Sequence, residues 1–165
     1  MESFYNTAEM KSCGIIHPDI LEEIREYCKK TGTTCLDPFA GSGVATLELG
    51  ELVRRTDRTP WSGIVKREDA IKAIESSEEN EQTLILMFPP PQSNVPYEVL
   101  KRAAPCGFKR VYIIQESLEP GHCGDELYVD LVEKLNPVDT ECHEYPIIPM
   151  GFHSTVWKIE LESEL

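Results

Sequence analysis

The stretch Asp37-Pro38-Phe39-Ala40-Gly41-Ser42-Gly43, called the glycine turn below, decides the fold of this chain. It follows a short apolar run, residues 34–36, and precedes a helix-like segment, residues 44–49, which predicts a strand, a turn and a helix in that order. Glycine can adopt a positive φ, and without a Cβ atom it lets a ligand lie directly on the turn. Unpaired N–H groups at the helix start and the carboxylate of Asp37 suit a ligand that carries both an anionic and a cationic group. An amino-acid moiety fits that description better than a pyrophosphate does.

The composition is that of a single globular domain with an unusual charge. The 165 residues suffice for one full core, and an apolar fraction of 41% is ordinary. We expect one domain over residues 1–165, with an N-terminal lead-in and helix in residues 1–31 and the sheet core in residues 33–165. The 29 acidic residues outnumber the 16 basic ones, and the formal net charge is −13. Because this charge opposes phosphate contact, we do not expect duplex nucleic acid as a partner unless a basic subunit joins the chain.

The cysteines and the hydropathy indicate a soluble protein of a reducing compartment. Six cysteines are widely scattered, and residues 1–4 do not begin a signal peptide. We therefore expect reduced thiols and a cytoplasmic location. No apolar stretch approaches the length of a membrane span, so we expect no association with a membrane.

Alternating patterns predict a doubly wound α/β fold. The predicted helices cover residues 18–28, 44–54, 70–75, 95–104 and 125–135. The predicted parallel strands cover residues 33–36, 61–65, 83–88 and 110–114. Residues 142–148 and 155–161 have no helix between them, so we expect two antiparallel strands joined by a turn at 149–151. The fold class is thus a compact, mostly parallel sheet that ends in an antiparallel hairpin.

The glycine turn resembles the S-adenosylmethionine motif of class I methyltransferases, in the form usual among DNA amino-methyltransferases. His17-Pro18 before a helix and Gly63-Ile64 at the start of the predicted second strand are similar to the flanks of that motif. Phe88-Pro89-Pro90-Pro91 resembles the family's proline motif, which usually begins with Asp or Asn, and the terminal hairpin is similar to the closing strands of the family. The resemblance covers most of the chain. It implies a Rossmann-like fold and an S-adenosylmethionine-dependent methyltransferase.

The resemblance also implies which residues bind the cofactor. On the turn they are Asp37, Phe39, Ala40, Gly41, Ser42 and Gly43. The family binds the ribose hydroxyls with an acidic residue at the end of the second strand, where this sequence has Val65. Glu68 or Asp69 could take that role, although both also fit a solvated helix start.

The methyl-transfer side is expected at the proline motif. Phe88 stands where the family accepts hydrogen bonds from a target amino group, and an apolar side chain cannot accept them. We therefore expect a small-molecule or protein acceptor. The residues predicted for this side are Phe88, Pro89, Pro90 and Glu116. Glu116 would serve as a base where the nucleophile must lose a proton, with His122 or Asp125 as alternatives.

Each of these residues also fits a structural role. Pro89 and Pro90 could end a strand without any chemistry, and Asp125 could cap the helix that begins there. A thiolate at Cys123 is conceivable, but an ordinary thiol is expected. No metal site is expected, because the spacing of the histidines and cysteines fits no closed zinc template; the residues considered are His122, Cys123, Cys142, His143 and His153.

A shortened sheet leaves a second function open. Between Asp69 and Thr83 there is too little chain for a helix and a further strand with its helix. We expect the sheet to lack one strand-helix unit of the seven-stranded arrangement. With Val65 and Phe88, this also fits a non-catalytic binding module, or a partner subunit of a heteromeric complex.

Overall fold

The structure is a computed structural model, and it describes residues 16–119, 123–140 and 155–161. The helices are α1 Pro18–Thr31, α2 Ala70–Glu75, α3 Val95–Ala103 and α4 Glu126–Lys134, and Val44–Leu52 forms a 3-10 segment. The strands are β1 Thr34–Asp37, β2 Val53–Asp57, β3 Lys66–Arg67, β4 Glu81–Met87, β5 Arg110–Gln115, β6 Val138–Thr140 and β7 Thr155–Glu160. None of the described helices is both long and apolar enough to cross a membrane.

The strands form one sheet in the order β3-β2-β1-β4-β5-β7-β6. The first five strands of the chain pair in parallel, and β7 runs antiparallel to β5 and β6. The strand order reverses between β1 and β4, and ligands of such sheets bind beyond the carboxyl ends of the strands at this point. The predicted fold class, a mostly parallel α/β sheet ending in antiparallel strands, is confirmed.

Two apolar layers cover the sheet. Side chains of Leu36, Leu84 and Leu86 pack against α2, α3 and α4 on one face. Cys35 and Ile85 pack against α1 and the 3-10 segment on the other face. The alternation confirms that β4 is buried on both sides, as its continuous apolar sequence predicts.

The second strand differs from the prediction. The segment Val53–Asp57, predicted partly as helix and partly as loop, is β2, and residues 61–65, predicted as the strand, form a turn. The two arginines of β2 have fixed partners. Arg54 donates from Nε to Glu81 Oε2 over 2.9 Å and from Nη2 to the carbonyl oxygen of Ala73 over 2.7 Å. Hydrophobic periodicity could not predict this strand, because many of its contacts with the rest of the protein are made by charged side chains.

The helix predicted after the glycine turn is also different. It is a 3-10 segment that ends at Leu52, with a non-helical Gly50 inside it (φ 56°, ψ −128°). Arg55 Nη2 donates to the carbonyl oxygens of Thr46 (2.6 Å) and Gly50 (3.2 Å). An α-helix would use the Thr46 carbonyl for its own backbone, so the arginine of β2 competes with the regular helix.

We expect the sheet to lack one strand-helix unit, but the structure contains a short third strand, β3, in that position. β3 contains only Lys66–Arg67, and residues 58–65, which join it to β2, contain no helix. The unit is therefore reduced to a two-residue strand, which still pairs with β2 through Thr56 and Asp57.

The closing strands are described only in part. The predicted strand 142–148 and the turn 149–151 lie outside the described residues. β7 pairs with β5 on one side and with β6 on the other, and β6 begins earlier than the predicted strand, at Val138.

Replacing Arg54 with Met should destabilise the fold by about 2 to 3 kcal/mol, because Glu81 would keep its carboxylate in the interior without the guanidinium. The Glu81 side chain is only 5% exposed. Urea unfolding measures the change. The control Arg102→Met removes ion pairs with Glu75 and Glu98, which are 55% and 26% exposed, and should cost clearly less. Equal losses in both variants would contradict this account of β2.

Candidate functional site

The glycine turn leaves β1 at the reversal of strand order and is anchored to the end of β2. The amide of Ala40 donates to the carbonyl oxygen of Thr56 over 3.0 Å, and the amide of Gly41 donates to Asp57 Oδ2 over 2.9 Å. The amide of Gly43 donates to the Ala40 carbonyl over 2.8 Å. Gly43 has a φ of 80°, a positive value of the kind that a glycine at this position predicts. The turn therefore has one defined shape, fixed by its neighbour strand.

Asp57 is the acidic residue at the carboxyl end of β2. Its half-buried carboxylate also accepts a hydrogen bond from the Thr59 amide over 2.8 Å. Sequence reasoning missed Asp57 because the second strand was placed at residues 61–65. No local sequence pattern marks this strand, so Asp57 could not be recognised as an acid at a strand end.

Asp37 lies under the turn and not on its surface. The residue is fully buried, and its Oδ2 accepts a hydrogen bond from Thr46 Oγ1 over 3.4 Å. Among the described residues Oδ1 has no hydrogen bond of ordinary geometry. Burial raises the pKa of Asp37 to about 7, while Arg55 and the Thr46 hydroxyl favour the ionised form. In this conformation the carboxylate supports the turn and has no surface for a ligand.

The segment 61–65 lies over the turn. The Trp61 amide donates to the Gly41 carbonyl over 3.1 Å, and Ser62 Oγ donates to the Ser42 carbonyl over 2.6 Å. A Cβ atom on Gly43 would lie 2.9 Å from Ile64 Cδ1. The side chains of Trp61 and Ile64 are about half exposed. The segment therefore adds an aromatic and an aliphatic surface beside the turn, and Ser42 remains partly exposed.

Glu68 and Asp69 follow β3, so they lie beyond a different strand from the one expected. Asp69 caps α2, since its Oδ1 accepts hydrogen bonds from the amides of Ile71 and Lys72. Glu68 forms ion pairs with Arg54 (3.8 Å) and with a neighbouring lysine. Asp69 thus has the partners of a helix start, and Glu68 has partners on β2 and β3.

The proline motif after β4 is held in a strained conformation. Phe88 and Gln92 both have positive φ angles, 43° and 56°. Such angles cost non-glycine residues on the order of 1 to 3 kcal/mol and are common at functional sites. Two hydrogen bonds of 3.0 Å fix the segment, from the Gly124 amide to the Pro90 carbonyl and from the Gln92 amide to the Gly124 carbonyl. Pro89 is buried and Pro90 is exposed.

The groups predicted around the loop after β5 have separate roles. Glu116 is exposed directly after the strand. Cys123 is buried, and this burial, with the nearby Glu116 carboxylate, raises the pKa of its thiol to about 12. An ordinary thiol is therefore favoured over a thiolate. Asp125 caps α4 by accepting a hydrogen bond from the Tyr128 amide over 2.9 Å.

The zinc alternative falls largely on undescribed residues. His122, Cys142, His143 and His153 lie outside the described residues. The described ranges contain no group of three or more side chains that could hold a metal ion.

The strand order sorts the predicted residues into neighbouring and distant ones. β1 and β4 are adjacent, so the glycine turn and Phe88 follow neighbouring strands. The Phe88 amide donates to the Ile114 carbonyl of β5 over 2.9 Å. The end of β5, which Glu116 follows, therefore lies next to Phe88. Glu68 and Asp69 lie at the far edge of the sheet, beyond β2.

Comparisons with known proteins identify the fold. No protein-family model matches the sequence, and no curated protein matches it. Among solved structures, the magnesium protoporphyrin IX methyltransferase of Synechocystis PCC 6803 with bound SAM matches with a TM-score of 0.54 and 9% identity, over 98% of this chain and 94% of that chain. The 1,6-didemethyltoxoflavin-N1-methyltransferase of Burkholderia thailandensis, bound to 1,6-didemethyltoxoflavin and S-adenosylhomocysteine, matches with a TM-score of 0.53 and 16% identity, over 96% and 84%. A Streptococcus mutans protein in complex with SAH matches with a TM-score of 0.52 and 13% identity, over 88% and 99%. The chain has the fold of these proteins.

Asp37→Asn should remove a pH dependence of stability. Because the pKa of folded Asp37 is raised, the folded state holds this proton more tightly than the unfolded chain does. The stabilisation by protonated Asp37 is lost as the pH rises from about 4 to about 7. The free energy of unfolding of the wild type should therefore fall by a few kcal/mol relative to that of Asp37→Asn over this range. Urea unfolding at several pH values measures it. Parallel profiles for the two proteins would contradict the assignment.

Proposed function

We propose that this protein is an S-adenosylmethionine-dependent methyltransferase that acts on a small-molecule or protein acceptor. One observation carries the proposal: the glycine turn at the strand-order reversal is hydrogen-bonded to an acidic residue at the end of the adjacent strand, Asp57. The Synechocystis and Burkholderia proteins of the same fold are named for small-molecule acceptors, which favours that class here.

The donor set at the turn fits the cofactor. A carboxylate offers about four acceptor sites, and Asp57 uses two of them for the amides of Gly41 and Thr59. The remaining sites can accept hydrogen bonds from a pair of ribose hydroxyls. We therefore assign the ribose to Asp57, in place of Glu68 or Asp69, whose carboxylates already pair with arginine, lysine and helix amides.

The surfaces around the turn fit the rest of the cofactor. Trp61 and Ile64 offer apolar contact for a purine. Phe39 and Ser42 are partly exposed on the turn itself, while Gly43 allows the segment 61–65 to pack closely against the turn. Asp37 contributes through the shape of the turn.

Catalysis on the opposite side would depend on placement and on the exclusion of water. When bound, the cofactor supplies a methyl group that its sulfonium already activates. Phe88, Pro89 and Pro90 would form a stiff apolar wall that aligns the acceptor and keeps water away. Glu116 would accept a proton at its carboxylate where the nucleophile must lose one.

A second candidate function is a non-catalytic binding module or partner subunit. The observation that favours it is the segment 61–65, which occupies both the Gly41 and the Ser42 carbonyls. Phe88, which lacks a polar acceptor for an amino group, points the same way. Such a protein would not need to bind the cofactor.

Isothermal titration with S-adenosylmethionine and S-adenosylhomocysteine distinguishes the two functions. We expect both ligands to bind, and Asp57→Asn to weaken each by tenfold or more, because one ribose acceptor is lost while the bond to Gly41 can persist. Glu68→Gln and the exposed helix variant Asp130→Asn should bind like wild type.

The opposite pattern is equally informative. A loss in Glu68→Gln with none in Asp57→Asn would move the ribose site to β3. No binding of either ligand by the wild type would refute the methyltransferase proposal and leave the binding module.

A further inference from the structure

Two thiols meet in the core away from the glycine turn. Cys28 lies in the last turn of α1 and Cys35 lies in β1, and their Sγ atoms are 3.4 Å apart. Both residues are almost completely buried, at 1% and 0% exposure. The other two described cysteines, Cys106 and Cys123, have no thiol partner among the described residues.

Polar groups around this pair favour one thiolate. The hydrogen bond from the Cys35 thiol is the main cause that lowers the pKa of Cys28 to about 7, and hydroxyls of Thr33 and Thr83 act in the same direction against the effect of burial. Arg110 on β5 also favours the charge. The pKa of Cys35 is raised, because its thiol donates to Cys28 and because it is buried.

The buried hydroxyl of Thr83 is part of the same arrangement. Thr83 lies opposite Cys35 in the β1–β4 register and is fully buried. Its Oγ1 has no hydrogen-bond partner of ordinary geometry among the described residues. A buried donor without a partner is costly, and a thiolate at Cys28 would satisfy it.

We propose that Cys28 and Cys35 are a redox-active dithiol, which a peroxide oxidises to a disulfide that fastens the end of α1 to β1. This inference is independent of the proposed function. The bond is complete when the Sγ distance contracts from 3.4 Å to about 2.05 Å.

The oxidation balances with one peroxide molecule. The Cys28 thiolate attacks a peroxide oxygen, so that an S–O bond forms, the O–O bond breaks and hydroxide leaves. The Cys35 sulfur then attacks the Cys28 sulfur, the S–O bond breaks, and water departs with the thiol proton. In sum, two thiols and one hydrogen peroxide give one disulfide and two waters.

A small oxidant can reach the pair through the end of α1. Cys28 is followed by the exposed residues Lys29, Lys30 and Thr31. Helix ends open locally at a small cost, so the last turn can admit peroxide without global unfolding. The disulfide would then restrict this opening and raise the melting temperature.

Peptide mapping of the full chain tests the proposal directly. After treatment with hydrogen peroxide, alkylation of free thiols and digestion with trypsin, the pair lies on different peptides, residues 26–29 and 31–54. We expect these two peptides to be linked, and separated by reductant. The melting temperature should rise on oxidation in wild type but not in Cys28→Ser. Oxidation of Cys106 or Cys123 with no linked 26–29 and 31–54 peptides would overturn the proposal.

A pair of conservative variants tests the role of the Thr83 hydroxyl. Thr83→Val should slow formation of the linked peptides several-fold at pH 7, and the rate should reach its plateau at a higher pH. Thr56→Val removes another buried hydroxyl without a partner, on the opposite face of the sheet, and should leave the rate unchanged. Equal rates in the two variants would overturn the role assigned to Thr83.

Discussion

A carboxylate without solvent contact is the constraint on which the rest of this structure depends. A buried carboxyl group requires partners, and Asp37 has them in the nearby guanidinium of Arg55 and the hydroxyl of Thr46. Both residues follow the glycine turn in the chain, Thr46 in the 3-10 segment and Arg55 in β2. Thr46 donates a hydrogen bond to Asp37 and accepts one from Arg55, so the buried carboxyl group of β1, the 3-10 segment and β2 are joined in one hydrogen-bonded chain. The shape of the turn follows from this arrangement.

Apolar elements of the fold could be predicted from the sequence, whereas the polar strand could not. The pattern of α1, with Gly32 as its left-handed end, and the uninterrupted apolar run of β4 both identify buried surface directly. β2 contains two arginines in succession, and its burial depends on Glu81 and Thr46, which are distant in the chain. Such pairing leaves no local pattern. Asp57 was missed for the same reason, because an acid at the end of a strand can be recognised only once the strand itself has been located correctly.

The acidic residues of the site divide by their position in the fold. Asp69 and Asp125 satisfy helix amides, which is a local role that their positions before helices predict. Asp57 and Glu116 lie at the ends of β2 and β5, where the fold presents ligand sites. Phe88 adds strain to the same region, and a bulky residue with a positive φ persists only where its surroundings fix it. The fold supplies the site, while the acceptor depends on the side chains around Phe88.

Hydrogen–deuterium exchange with and without S-adenosylmethionine tests the central claim most directly, since it reports where a ligand lies. The account predicts slower exchange of backbone amides in residues 37–43 and 57–65, which form the turn and the segment over it. Helix α4, on the other side of the sheet's strand-order reversal, should be unchanged. Unaltered exchange throughout, or protection confined to α4, would contradict the claim that the glycine turn holds the cofactor.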